Sequence, residues 1–228
     1  MEAANDQETT STSLAHILAA DSPIFSDESS KKAKQQKTNV STDRLPGPFY
    51  ADNLQINKDN VNDLVRLADK YHAKDCMTKC IQFLKEILNV DSVCFVLDVA
   101  WGSSWMVLAA VHGLCIDIVY EHFDAVIETR GFSTCRPGTL QTILSQHPSS
   151  RHEFNVVDAV VKWAQNACVK NGIDSTNPQH LRKAIGANFN LIDFGAMTEI
   201  DFFTCQLEHR LLSEHEIGEL VDKMSDKK

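Results

Sequence analysis

The chain has 228 residues, 43% of them hydrophobic, which is enough apolar side chain to close one large core or two small ones and sets aside a wholly disordered protein. Its formal net charge of −9 opposes non-specific binding of nucleic acid, because each phosphate contact calls for a Lys or Arg. The longest apolar stretch, 93–120, is interrupted by Asp98, Gly102, Ser103, Ser104, His112 and Asp117, so it reads as two water-soluble helices rather than a membrane span.

The first eight residues show neither the basic nor the apolar region of a signal peptide, so the expected setting is the reducing cytoplasm or nucleus. The seven cysteines (76, 80, 94, 115, 135, 168 and 205) are unevenly spaced and fall mostly on apolar helical positions, where they read as small core residues.

Residues 1–48 are mostly polar, carry the basic run from Lys31 to Lys37 and end in Pro46-Gly47-Pro48; they are expected to be a mostly disordered tail. The exception is 14–25, where Leu14 to Ala20 and Pro23-Ile24-Phe25 predict a short helix and a turn. A short strand is the most that 54–56 offers towards a sheet. From Asn57, a plausible N-cap, Val61, Leu64, Val65, Ala68 and Tyr71 form one helical face. After a break at 72–74, Met77, Cys80, Ile81, Leu84 and Leu88 repeat the pattern, predicting an antiparallel helix pair. Asp91 is expected to cap a third helix, with Val90 and Phe95 as a hydrophobic staple.

Gly102-Ser103-Ser104 separates that helix from a long one, whose stripe runs through Leu108, Val111, Cys115, Ile118, Val119, His122, Phe123 and Val126 and is expected to stop at Gly131. Pro137 opens a short helix, Asn155 with Asp158 a longer one, and Asn177-Pro178 another. Ser213 and Glu216 make an S-x-x-E capping box with Leu212 and Ile217 as its staple. The expected fold class is all-α.

Asn60-Val61-x-x-Leu64-Val65-Arg66-Leu67-Ala68-Asp69-Lys70-Tyr71, followed by Cys80-x-x-Phe83-Leu84, resembles the last two helices of a BTB/POZ domain. The segment Phe49 to Ile56 resembles the lead into those helices, and His16 with Leu18 to Phe25 resembles the first-helix motif. Cys115 to Phe123, Val157 to Trp163 and Met197 to Glu214 resemble the BACK domain that usually follows. The resemblance implies a helical array, with 49–90 as the C-terminal part of a BTB/POZ domain and 91–228 as a BACK domain. Between Phe25 and Phe49 a polar linker stands in place of the sheet and middle helix of a complete BTB domain, so that domain is read as shortened and homodimerisation is left open.

The resemblance also implies a substrate adaptor of a cullin-RING ubiquitin ligase, with a cullin scaffold and other BTB proteins as partners. The cullin contact is then expected near 93–119, at Phe95, Trp101, Trp105 and Leu108. A scaffold or transcription-associated protein without a ubiquitin role, or a truncated isoform competing with full-length BTB proteins, is the alternative.

No papain-like or caspase-like signature, G-x-S-x-G elbow, phosphate loop or G-x-G-x-x-G occurs, so neither catalytic nor cofactor-binding residues are expected. Cys205 and His209 are four apart, with His215 beyond, but no second close pair completes a tetrahedral zinc site, and no metal is expected. His112 and His122, on or beside the long stripe, read as core histidines. Trp163 lies within a helical stripe and reads as core, Trp101 and Trp105 read equally as core or as surface anchors, and Phe202 and Phe203 face the same choice.

Overall fold

The structure, a computed structural model, describes residues 55–101, 105–147 and 153–225, with backbone alone at 105–107. All of them belong to the second of the two units into which the chain divides, Thr42–Lys228. The expected tail, its 14–25 segment, Leu54 and the 102–104 break lie outside the described residues.

Regular structure in the described residues is entirely helical: α1 (Val61–Lys70), α2 (Lys74–Ile87), α3 (Val93–Trp101), α4 (Trp105–Glu121), α5 (Phe123–Ile127), α6 (Arg130–Thr134), α7 (Pro137–Leu144), α8 (Glu153–Lys170), α9 (Pro178–Ile185), α10 (Glu199–His209) and α11 (Glu214–Ser225), with 3-10 turns at Gly186–Leu191 and Phe194–Ala196. The fold is all-α over this region, and Gln55 and Ile56 form no strand.

Asn57 behaves as the expected N-cap of the turn that leads into α1: its side chain accepts from the backbone N–H groups of Asp59 (3.0 Å) and Asn60 (3.1 Å), its carbonyl accepts from the Val61 N–H (3.0 Å), and Asn60, at the boundary of α1, makes no side-chain cap bond to that helix. Helix α1 ends in a Schellman motif, the His72 N–H donating to the Asp69 carbonyl (3.3 Å) and the Ala73 N–H to that of Ala68 (2.9 Å). His72 sits at φ 54°, the left-handed turn that folds α2 back on α1. Gly172, at φ 67°, closes α8 in the same way.

Asn89, not Asp91, caps the turn that opens α3: Asn89 Oδ1 accepts from the Ser92 N–H (3.1 Å) and its carbonyl from the Val93 N–H (2.9 Å), Ser92 Oγ accepts in return from the Asn89 N–H (2.9 Å), and Asp91 stays exposed. The predicted long stripe buries Leu108, Val111, Cys115, Val119, Phe123 and Val126 as expected, but the helix breaks at His122, which is exposed rather than in the core. Gly131 does not stop it. It lies inside α6, where a Cβ would stand 3.2 Å from Cys94 Cβ and 3.4 Å from the Asp91 carbonyl oxygen, so the missing side chain lets α6 rest on the start of α3. Helix α8 begins at Glu153, two residues before the expected Asn155. Pro137, Asn177-Pro178 and the Ser213/Glu216 box open α7, α9 and α11 as predicted.

Helices α1 and α2 pack on each other and on α3 and α4, and α8 packs against α5, α6, α9 and α10. The five-residue α6 is too short to hold itself. Three donors of α8 close its end: Asn166 Nδ2 to the Ser133 carbonyl (3.1 Å), Lys170 Nζ to that of Thr134 (3.2 Å) and Trp163 Nε1 to that of Cys135 (2.9 Å). Trp163 is 3% exposed, in the core as predicted.

Arg182 of α9 ties the C-terminal helices together. Its guanidinium lies 3.9 Å from the centroid of the Phe189 ring, donates to the Leu211 carbonyl (2.8 Å) and grips Glu216 with two bonds (2.9 and 2.5 Å). Hydrogen bonds from Arg182 and from the Ser213 N–H pull the Glu216 carboxyl from an ordinary 4.5 down to about 2. A carboxyl lowered on folding stabilises above its unfolded value and loses that stabilisation as pH falls through the folded one. Wild type should therefore exceed Glu216→Gln in stability by about 0.5–1 kcal/mol above pH 4.5, a partly exposed pair being worth no more. Urea titrations should show that margin closing between pH 4.5 and about 2.

All seven cysteines are free and buried, as the sequence predicts. Burial pushes the thiols of Cys80, Cys94 and Cys115 up to about 12 and that of Cys205 to about 11. Thiolate is the reactive form. Folded protein treated with an aromatic disulfide reagent at pH 8 should release less than about one thiol equivalent in the time that urea-unfolded protein releases all of them.

Candidate protein-binding surface

The predicted contact residues do not form one exposed patch. Trp101, the last residue of α3, is 52% exposed. Phe95 is half-buried against the core, and Leu108 is inside it at 1% exposure. Trp105 opens α4, and its side chain lies outside the described residues.

Helix α7 holds Trp101 at the surface. The indole Nε1 donates to Thr142 Oγ1 (3.3 Å), and the ring lies over Gly138, where a Cβ would approach it to 3.1 Å. One turn earlier on α3, Asp98 fixes α7: its Oδ1 accepts from the Arg136 N–H (3.0 Å) at the start of that helix, where the dipole favours a negative charge. Burial nonetheless raises the Asp98 carboxyl above its usual range, against the lowering effects of Thr139 and Arg136. Trp101 is thus a half-exposed aromatic on a positioned support, and what it offers chemically is an apolar plate with its one donor already engaged.

Sequence reasoning missed a buried pair. His147 Nε2 and Glu153 Oε1 are 2.7 Å apart, with side chains 5% and 2% exposed, and the His147 ring stacks on Phe123 at 4.6 Å. Burial raises the Glu153 carboxyl, and His147 opposes that rise. The pair joins the end of α7 to the first residue of α8, and no local periodicity links two residues across a helix boundary. Phe202 and Phe203 divide, the first fully buried and the second 49% exposed. Their helical phase was the available signal, since Phe202 shares a face with the core residue Cys205.

Among the described residues, no three His, Cys, Asp or Glu side chains are grouped to hold a metal ion, and no helix is long and apolar enough to cross a membrane. His209 lies 3.9 Å from both Asp158 and Glu208. A methyl group at Gly138 would stand 3.1 Å from the Trp101 ring and oblige the ring to shift outward from α7. Gly138→Ala should therefore raise acrylamide quenching of the tryptophan emission, and the same substitution in a Trp101→Phe background should leave quenching unchanged.

Residues 14–88 match the BTB/POZ domain. Over 154 residues the chain is 25% identical to BTB/POZ domain-containing protein 6-A of Danio rerio and 23% identical to BTB/POZ domain-containing protein 6 of Homo sapiens, covering 68% of this chain and 28% of each relative. It is 22% identical over 172 residues to BTB/POZ domain-containing protein 3 of Homo sapiens, covering 75% of this chain and 32% of that protein. The matched region thus spans less than a third of the length of these relatives. No solved structure gives a significant match. A BTB/POZ match running through α1 and α2 marks a protein–protein interaction module.

Proposed function

We propose that the chain is a non-catalytic interaction module acting as an adaptor-like component of a cullin-RING E3 ubiquitin ligase. Residues 49–90 are read as the C-terminal part of the BTB/POZ domain and 91–228 as a BACK domain. The observation that carries this reading is the BTB/POZ match at 14–88, followed directly by helices that stack on its last two. In this reading the cullin rests on the end of α3 and the start of α4. Trp101 supplies the exposed aromatic contact, Trp105 and Phe95 are the further residues of this reading, and Leu108 sets α4 from within the core. Large aromatic side chains commonly carry the energy of such interfaces.

The test is a titration of the full chain with a purified cullin bound to its RING subunit. Trp101→Ala should weaken binding about tenfold or more, the loss typical of an aromatic anchor, with the urea midpoint of the chain unchanged. A chain that retains no cullin removes the ligase reading and leaves a scaffold. Capture of a full-length BTB protein in place of a cullin points instead to a competitor of such proteins.

A further inference from the structure

Helix α10 is apolar on two sides. Phe202 and Cys205 fill the core, at 0% and 3% exposure, whereas Ile200, Phe203 and Leu207 recur at i, i+3 and i+7 on the outward face, 79%, 49% and 77% exposed. Single exposed apolar side chains are ordinary, but a line of three along one helix marks a surface that something covers. At Leu207 the line opens into a concavity of about 710 Å³, backed by the buried Val161 and Leu181 and edged by the exposed Val169.

Charge narrows the occupant. Within Glu199–His209 there are three acids, Glu199, Asp201 and Glu208, and no Lys or Arg; at about 100° per residue Glu199 lies about 40° beyond Phe203 on one side of the apolar line, Glu208 about 80° beyond Ile200 on the other, and Asp201 turns further towards the core. Arg210 follows as the cap. A second copy of this chain would bring those acids against their equivalents and join two molecules of net charge −9. An anionic lipid surface is opposed for the same reason.

We propose that the outward face of α10, with the hollow beside Leu207, docks an amphipathic helix of a partner protein. The partner's apolar ridge covers Ile200, Phe203 and Leu207, and its flanking lysines or arginines meet Glu199 and Glu208. Helix-in-groove recognition uses the same i, i+3, i+7 spacing. This face belongs to α10 and is independent of the α3–α4 contact, so cullin binding and peptide binding can fail separately.

Two labelled model peptides serve as probes, one a Leu/Lys helix with leucines at i, i+3, i+4 and i+7, the other its Leu/Glu counterpart. Each is titrated against the full chain by fluorescence anisotropy at physiological salt. The Leu/Lys peptide should saturate a single site, with the Leu/Glu peptide at least about tenfold weaker. The double variant Ile200→Asp, Leu207→Asp, whose fold is checked by circular dichroism, should lose about tenfold or more in affinity. Tyr120→Ala, an exposed aromatic on α4, should change it less than about twofold. Glu208→Lys should weaken the Leu/Lys peptide and strengthen the Leu/Glu one. Unchanged or tighter binding by the double variant, which adds two acids, would overturn the proposal by showing that net charge alone attracts the basic peptide, and an equal loss in Tyr120→Ala would overturn it by showing that the peptide does not select the α10 face. So would a dimer in sedimentation equilibrium that the double variant dissolves, because the occupant would then be a second copy.

Discussion

The end of α6 is the junction on which the surrounding arrangement depends. Three consecutive carbonyls, those of Ser133, Thr134 and Cys135, have no partners within their own short helix. Helix α8 supplies donors from Asn166, Lys170 and Trp163, which recur at i, i+3 and i+7 from Trp163 and so lie along one face. The next backbone group, the Arg136 N–H, goes to Asp98 on α3. Helices α8 and α3 together therefore fix four successive backbone groups, and α7 starts from that fixed point. Because Gly138 and Thr142 lie on α7, the support beneath Trp101 follows from this junction, even though none of the donors on α8 touches the indole.

Acidic side chains recur at helix N-termini for a shared reason, and the outcome differs with exposure. Asp98 stands at the start of α7, Glu153 opens α8 and Glu216 lies in the first turn of α11. The positive end of each dipole favours a carboxylate there. At Asp98 and Glu153 the cost of burial outweighs the dipole and the partners, and their carboxyls rise. Glu216 keeps much of its hydration while gaining a two-bonded guanidinium, so pairing wins and its carboxyl falls.

Much of this was legible in the sequence wherever the deciding signal is local. Proline at the first helical position, the Asn177-Pro178 start and the Ser213/Glu216 box each named a helix, and the stripe from Leu108 to Val126 named the buried side of α4 and α5. Gly131 misled because a missing side chain serves two purposes, ending a helix or admitting a close neighbour, and only α3 decides between them. Asp91 was named as the cap by residue type, whereas Asn89, two residues earlier, is the side chain whose oxygen meets the Ser92 N–H, a choice set by where the backbone turns into the helix. The candidate surface was less legible still. Periodicity groups residues on a face without saying whether that face is covered, which is why Leu108 proved to be core while Trp101 stands out, and why the outer line of α10 looks like a core stripe until the neighbouring helices are in place.

The cap of α10 shows a preference in conflict with its backbone. Arg210 holds φ 52° and ψ 39°, the left-handed conformation that glycine adopts freely and that costs other residues about 1–2 kcal/mol. A glycine there would make the chain easier to fold and would leave the rim of the adjoining hollow with Glu208 and without a neighbouring cation. Arginine gives up part of that stability and in exchange sets a fixed positive charge at one end of an otherwise acidic helix. That charge gives the face a polarity along its length, so a ligand lying on α10 meets an unlike environment at each end and one orientation is preferred over the reverse.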